Sequence, residues 1–347
     1  MRTCAFAIAL AVSVSACTGA VGSGHGTTGI GPDDTDTDGT HGPFRTPAPD
    51  SGVDLGTPTA DGSIDLSSGE GDGGDAATTD PAADGGTGPT TTDWPDATNT
   101  GVGSVGALEP SGSIVVSAND TVIENRDIGG SVTVRANRVT LRNCRIRSAG
   151  LAVLLDTGFG DLLMEDVTIE GTNVPTREVV AVTLRGMSTI RRLNISKYGT
   201  GIRYDFGSTG LIEDSYFHDM HSIDGQAKDG GIHGFGTTNL VIRHNRMELD
   251  GEYGKMVLKF PCDTPASWTS GKNITIEDNI IAGGAYAIAA GYCTSTPSKI
   301  WENVVIKNNR FSTKFHPKCG EYGVFLPDSV NAALVTGNVW HETGLPY

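Results

Sequence analysis

From Ile123 onward the chain repeats one pattern of apolar and polar positions. An aliphatic residue is followed by a charged or polar one, an Asn/Asp-like one, two further residues and a large apolar one. The pattern reads Ile123-Glu-Asn-Arg-Asp-Ile128, Leu141-Arg-Asn-Cys-Arg-Ile146, Met164-Glu-Asp-Val-Thr-Ile169, Ile190-Arg-Arg-Leu-Asn-Ile195 and Ile212-Glu-Asp-Ser-Tyr-Phe217. It continues as Ile242-Arg-His-Asn-Arg-Met247, Ile276-Glu-Asp-Asn-Ile-Ile281, Ile306-Lys-Asn-Asn-Arg-Phe311 and Val335-Thr-Gly-Asn-Val-Trp340. The nine starts lie 18, 23, 26, 22, 30, 34, 30 and 29 residues apart. The flanks alternate and are β-branched, as in Val139-Thr-Leu141, which predicts strands of period two. A second short strand is predicted before most of these repeats, with Val153, Val182, Ile202, Ile232, Val257, Ile288 and Val324 facing inward. Short strands at this spacing fit the coils of a parallel β-solenoid, about nine of them. One coil cannot bury its strand edges alone, so the coils stack, about 4.8 Å apart.

Asn245, Asn279, Asn309 and Asn338 hold the same repeat position in four successive coils. Stacked Asn amides can hydrogen-bond along the axis, and Asn tolerates the left-handed backbone of a tight bend. This resembles the asparagine ladder of right-handed parallel β-helices, the pectate-lyase-like superfamily, over residues 107–347. Within it, Asn308-Asn-Arg-Phe311 and Gly337-Asn-Val-Trp-His-Glu-Thr-Gly344 are similar to bacterial β-helix repeat proteins. Where relatives carry a His-Asn-Asp-Gly-Ile-Gln segment, this chain reads Lys228-Asp-Gly-Gly-Ile-His233. The resemblance implies an all-β fold and a substrate groove along an extended sheet face; a fold of this kind hosts many activities.

Charge separates the chain into parts. Residues 18–106 hold 14 Asp, one Glu, one Arg and no Lys, whereas residues 107–347 carry a net charge of only −3. A domain so nearly neutral has no electrostatic footprint for nucleic acid. The acidic stretch is rich in Gly, Thr, Pro and Ser and lacks aliphatic periodicity, so it is expected to be a disordered linker, with Trp94 incidental to it. Ahead of it, Ala5–Val14 is an apolar run too short to span a bilayer and suited to a signal-peptide core. Val14-Ser-Ala-Cys17 resembles a bacterial lipobox, which implies cleavage before Cys17, lipidation of that cysteine and an extracytoplasmic location. Thr18 in place of Asp favours an outer or outward-facing membrane. Residues 1–17, 18–106 and 107–347 are therefore expected to be a lipoprotein signal, a tether and a β-helix, in a monomer.

Alternation along the second strands places Arg203 and His233 outward on adjacent coils, with Asp205 and Arg185 near the same face and Lys228 and Asp229 on the loop entering the His233 strand. Lys259 comes out inward. A polysaccharide lyase needs a base beside a uronate carboxyl and a cation to neutralise it. Arg203, His233 and Lys228 are the candidates, and the expected partner is an extracellular or cell-wall acidic polysaccharide. A glycoside hydrolase would instead need two carboxyls about 5–9.5 Å apart, for which Asp205 and Asp229 are the pair. The same face could equally serve a non-catalytic glycan-binding or surface-structural protein. His218, Asp219, His221 and Asp224 read as a polar loop cluster rather than a metal site. No cofactor is expected; calcium on linker repeats such as Asp33-Asp34-Thr-Asp36-Thr-Asp38 is the one ion considered, and the closing Glu of a calcium loop is missing.

Of six cysteines, Cys4 falls in the signal and Cys17 in the lipobox. Cys262 and Cys293 each follow an assigned inward aliphatic by five residues, so they fall one coil apart, within disulfide range, and are expected to form the one disulfide. Cys144, at the ladder position, and Cys319 are expected to be free. The anchor is tested by Cys17→Ser: the variant is expected to leave the membrane fraction and to lose labelling by a fatty-acid probe.

Overall fold

The computed structural model describes residues 93–250, 256–261, 271–292, 301–327 and 333–347. Apart from a 3-10 turn at Val105–Ala107, its regular elements are strands. Nine of them form one parallel sheet: Ile114–Val116, Val132–Val134, Val153–Leu155, Val180–Leu184, Thr200–Tyr204, Asp229–Gly234, Met256–Pro261, Tyr286–Tyr292 and Gly323–Phe325. The others form a seventeen-stranded parallel sheet to which most coils contribute two short strands separated by a bend. The sheets enclose one core of Val, Leu, Ile and aromatic side chains. Nine strands in the first sheet agree with the coil count read from the repeat.

The bend has two adjacent columns with different tasks. Its first residue is left-handed in every repeat: Asn125, Asn143, Asp166, Arg192, Asp214, His244, Asp278, Asn308 and Gly337, with φ between 49° and 65°. Asn, Asp and Gly adopt this conformation at low cost. Arg192 and His244 do not fit that preference, and each is held by the carboxylate one coil earlier in the same column: Arg192 by Asp166 at 2.6 Å, His244 Nδ1 by Asp214 at 2.6 Å. The second residue carries the ladder. The backbone N–H of Asn245, Asn279 and Asn309 donates to the amide oxygen of the next Asn at 2.9, 3.1 and 2.8 Å. Their side-chain nitrogens donate to the same oxygens at 3.0, 2.9 and 3.0 Å. Left-handedness therefore belongs to the residue before each ladder Asn, a correction to the sequence reading. Towards the N-terminus the backbone N–H of Ser215 donates to Asn245 Oδ1 at 3.0 Å and ends the ladder; Leu193 and Val167 fill the position with buried apolar side chains, and the buried Cys144 thiol meets Ile123 O and Arg142 O at 3.6 and 3.2 Å.

A second correction concerns register. Ile232 pairs with Leu258, not Val257, and Leu258 pairs with Ile288. His233 thus lies opposite Lys259, which turns outward. A bulge between Phe260 and Pro261 then restores the offset, so that Pro261 lies opposite Tyr292. Cys262 and Cys293 come directly after those two residues and lie outside the described ones. Cys144 and Cys319 are free and buried.

Residues 93–103, assigned to the tether by composition, lie against the solenoid. Gly101 N–H donates to Arg192 O at 2.7 Å, Val102 N–H to Thr168 Oγ1 at 3.0 Å, and Asn194 Nδ2 to Thr100 Oγ1 at 3.1 Å. Trp94 stacks on His244 with centroids 5.0 Å apart, and the Arg310 guanidinium sits 5.8 Å from its ring. Trp94 is thus a packing residue. Replacing it by Ala removes a stacked pair and a cation–π contact, together about 1.5 kcal/mol. The Trp94→Ala chain is expected to melt about 3–6 °C lower by circular dichroism.

Candidate functional site

The nine-stranded sheet places Arg203, His233 and Lys259 opposite one another on three successive strands. At about 4.8 Å per coil they form one outward row, continued backwards by Thr183 and forwards by Ala289. Glycine permits the spacing. A Cβ on Gly201 would lie 2.6 Å from Gly231 O, and one on Gly231 would lie 2.4 Å from Val257 O. These contacts fall beside the irregularity between Thr200 and Ile202 that brings Arg203 into line with His233.

The groups differ in what they can do. Arg203 Nε lies 2.9 Å from Asp205 Oδ1. Asp205 also accepts from Arg185 Nε at 3.0 Å, Arg185 Nη1 lies 3.4 Å from Asp156, and Asp156 accepts from Arg135 Nε at 3.1 Å. Arg135, Asp156, Arg185 and Asp205 thus alternate in sign over four coils. The backbone N–H of Thr157 and the Arg135 guanidinium hold the Asp156 carboxyl below its ordinary range. His233 is only 6% exposed, and its ring packs 4.0 Å from that of Phe235. The sequence predicted the row correctly at Arg203 and His233 but missed Lys259, and it did not foresee that the imidazole is buried.

Two expected members stand apart. Lys228 is paired with Glu178 and donates its backbone N–H to Gly199 O. It lies five residues before His233 at the other end of that strand, roughly 16 Å away at about 3.3 Å per residue. The backbone of Asp229 is opposite Thr200, and Asp205 is five residues further on, again roughly 16 Å.

The seventeen-stranded sheet carries a second polar network. Glu248, 4% exposed, meets Arg246 Nε at 2.8 Å and Lys314 Nζ at 2.7 Å and accepts from the Tyr216 hydroxyl at 3.2 Å. The Tyr216 ring stacks on His218 at 4.4 Å. His218 Nδ1 lies 2.7 Å from Asp219 Oδ2, and its Nε2 lies 3.0 Å from Asn194 Oδ1. Among the described residues no His, Cys, Asp and Glu side chains gather in a way that could hold a metal ion. Burial alone would raise the Glu248 carboxyl; Lys314 and Arg246 outweigh it and hold the group below its usual range. Burial pushes the Tyr216 phenol up to about 12, with the Glu248 charge adding to it. A carboxyl depressed in the folded chain stabilises above its unfolded value, near pH 4.3, and that stabilisation is lost as pH falls through the folded value. Glu248→Gln is therefore expected to cost about 2 kcal/mol at pH 7. In thermal melts at a series of pH values, the gap to the parent chain should narrow below about pH 4.

Residues 178–344 match the family model described as right handed beta helix region. No curated protein and no solved structure matches the chain. Among the described residues no helix is long and apolar enough to cross a membrane. With its coil strands all parallel, its nine-coil repeat and that match over the later coils, the chain is a right-handed parallel β-helix protein.

Proposed function

We propose that the protein binds an acidic polysaccharide along the outer face of its nine-stranded sheet, with Arg203 and Lys259 meeting carboxylates of the polymer. The observation that carries this reading is the row of Arg203, His233 and Lys259 on three successive coils. A polymer with regularly spaced acids suits cations fixed at a regular spacing, because neither partner must rearrange. Binding fits better than catalysis, because a base must reach the proton it removes and the His233 ring is packed away. Lipidation at Cys17 and an extracytoplasmic location belong to the same proposal: the tether would present this face to glycans outside the membrane.

A second reading, β-elimination, rests on one specific feature, the position of His233 between two cations. Affinity electrophoresis of the full chain in gels containing polygalacturonate or alginate separates the two. Arg203→Ala and Lys259→Ala are each expected to weaken retardation about tenfold, and raising the salt to about 0.5 M should weaken it in the parent. Incubation with the same polymers should yield no unsaturated products by ultraviolet absorbance. Products that form, and vanish in His233→Ala, would establish the lyase instead. Retardation unchanged in both cation variants would remove the row from the function.

A further inference from the structure

The two ends of the solenoid are finished differently. At the first aliphatic position of the repeat, the seven middle residues from Leu141 to Ile306 are fully buried, and Ile123 in the first coil is buried too. Val335 in the last coil holds the same inward position and is 36% exposed. Its strand, Ala333–Thr336, pairs with Glu302–Lys307 on one side. Among the described residues nothing pairs with its other side. Leu334 on the outward face is exposed, and so are Leu345 and Tyr347 nearby.

The edges also differ in how they are guarded. At the N-terminal end of the same sheet one edge strand is Glu109-Pro-Ser111 and the other, Val122-Ile-Glu124, closes on a carboxylate. Charge and proline keep a sheet edge from pairing with another chain. Ala333-Leu-Val-Thr336 has neither. At the Thr336 position every one of the eight preceding coils carries a charge, from Glu124 to Lys307, and the column ends uncharged.

The neighbouring strand rules out a simple continuation. Beyond Val339–Trp340 the chain turns back, so that Pro346 bridges Val339 antiparallel and the Tyr347 N–H donates to Asn338 O at 3.0 Å. A further coil stacked head to tail would find that strand occupied. A two-fold contact needs only Ala333–Thr336, and it closes after two copies.

We propose that the C-terminal end of the solenoid is a dimer interface, where Ala333–Thr336 of two copies pair antiparallel about a two-fold axis. Opposite residues in an antiparallel pair share a face, so inward residues must meet inward ones. Val335 then lies opposite either its own copy or Ala333, and Leu334 opposite either Thr336 or its own copy. The uncharged end of the column makes this possible. A charge at Thr336 would be brought close to its like, whereas the two Lys307 side chains lie three strand spacings apart, about 14 Å, beyond the screening length of about 10 Å. The dimer replaces the monomer expected from sequence. It is independent of the acidic-glycan reading, whose row lies on the other sheet.

The test uses the full chain carrying Cys17→Ser, which keeps any lipid out of the measurement, under reducing conditions. Sedimentation velocity between about 1 and 100 µM should show monomer passing to dimer and no larger species. Leu334→Lys and Leu334→Glu should each raise the dimer Kd about tenfold or more, and an equimolar mixture of the two should restore association. In either register the two side chains at position 334 lie within about 8 Å of each other, so unlike charges there attract. Should circular dichroism show that either variant has not folded, hydrogen exchange of the parent decides. The amides of Ala333–Thr336 should then exchange more slowly at about 100 µM than at about 1 µM. Monomer at every concentration, or exchange that does not change with concentration, overturns the proposal. So does a dimer that both variants leave intact, or a mixture that fails to restore it. Growth beyond the dimer would show head-to-tail stacking in its place.

Discussion

Everything in this molecule depends on a two-residue bend repeated once per coil. Its first residue is left-handed in nine successive repeats, and its second stacks beneath its counterpart in the next coil. A β-solenoid has only nearest-neighbour contacts, so an error in one coil is passed on to the next. The ladder limits that error. A buried amide that lost its partner would cost about 1–3 kcal/mol, and each ladder Asn has its donors and acceptor engaged only when the coils are in step. The Nδ2 of Asn279, for example, donates to Ile242 O, Glu277 O and Asn309 Oδ1 at 2.9 Å each.

A second column acts in the same direction from the outside. Glu124, Arg142, Glu165, Arg191, Glu213, Arg243, Glu277 and Lys307 lie opposite one another on eight successive coils, alternating in sign throughout. Exposed ion pairs of this kind contribute at most about 1 kcal/mol each. Their value is discrimination. A strand paired one coil out of place would set Glu against Glu and Arg against Arg along its neighbours, and such contacts are unfavourable. The apolar pattern is nearly the same in every coil and cannot make that distinction.

The coil repeat, the inward aliphatics and the ladder were legible because each is a local pattern copied many times. The alternating charge column was equally legible, written as Glu, Arg, Glu, Arg directly after the first aliphatic of each repeat. What was not legible depended on single departures from the pattern. The strand at Met256–Pro261 departs by one residue, and that hid Lys259 until the bulge before Pro261 was seen. Trp94 sits in a segment with the composition of a tether, and nothing in its neighbours signals that His244 and Arg310 await it. The burial of His233 follows from Phe235 two residues on, which lies on the same side of the strand by alternation but whose stacking sequence alone does not reveal.

This division bears on where chemistry can arise in such a fold. Regular coils give rows, and a row can hold charge at fixed intervals, as Arg203 and Lys259 do, but it cannot wrap around a ligand. A concave site needs an interruption. Here the interruption is the short return at Lys197–Gly199 between two loops of eight and ten residues, 172–179 and 219–228. Because those loops leave strands whose register is fixed by the bend and the ladder, their bases are held rigidly while their tips vary. Surface loops tolerate changes in length at small entropic cost. A solenoid can therefore acquire a pocket by lengthening two returns and sparing the one between them, with its core unchanged.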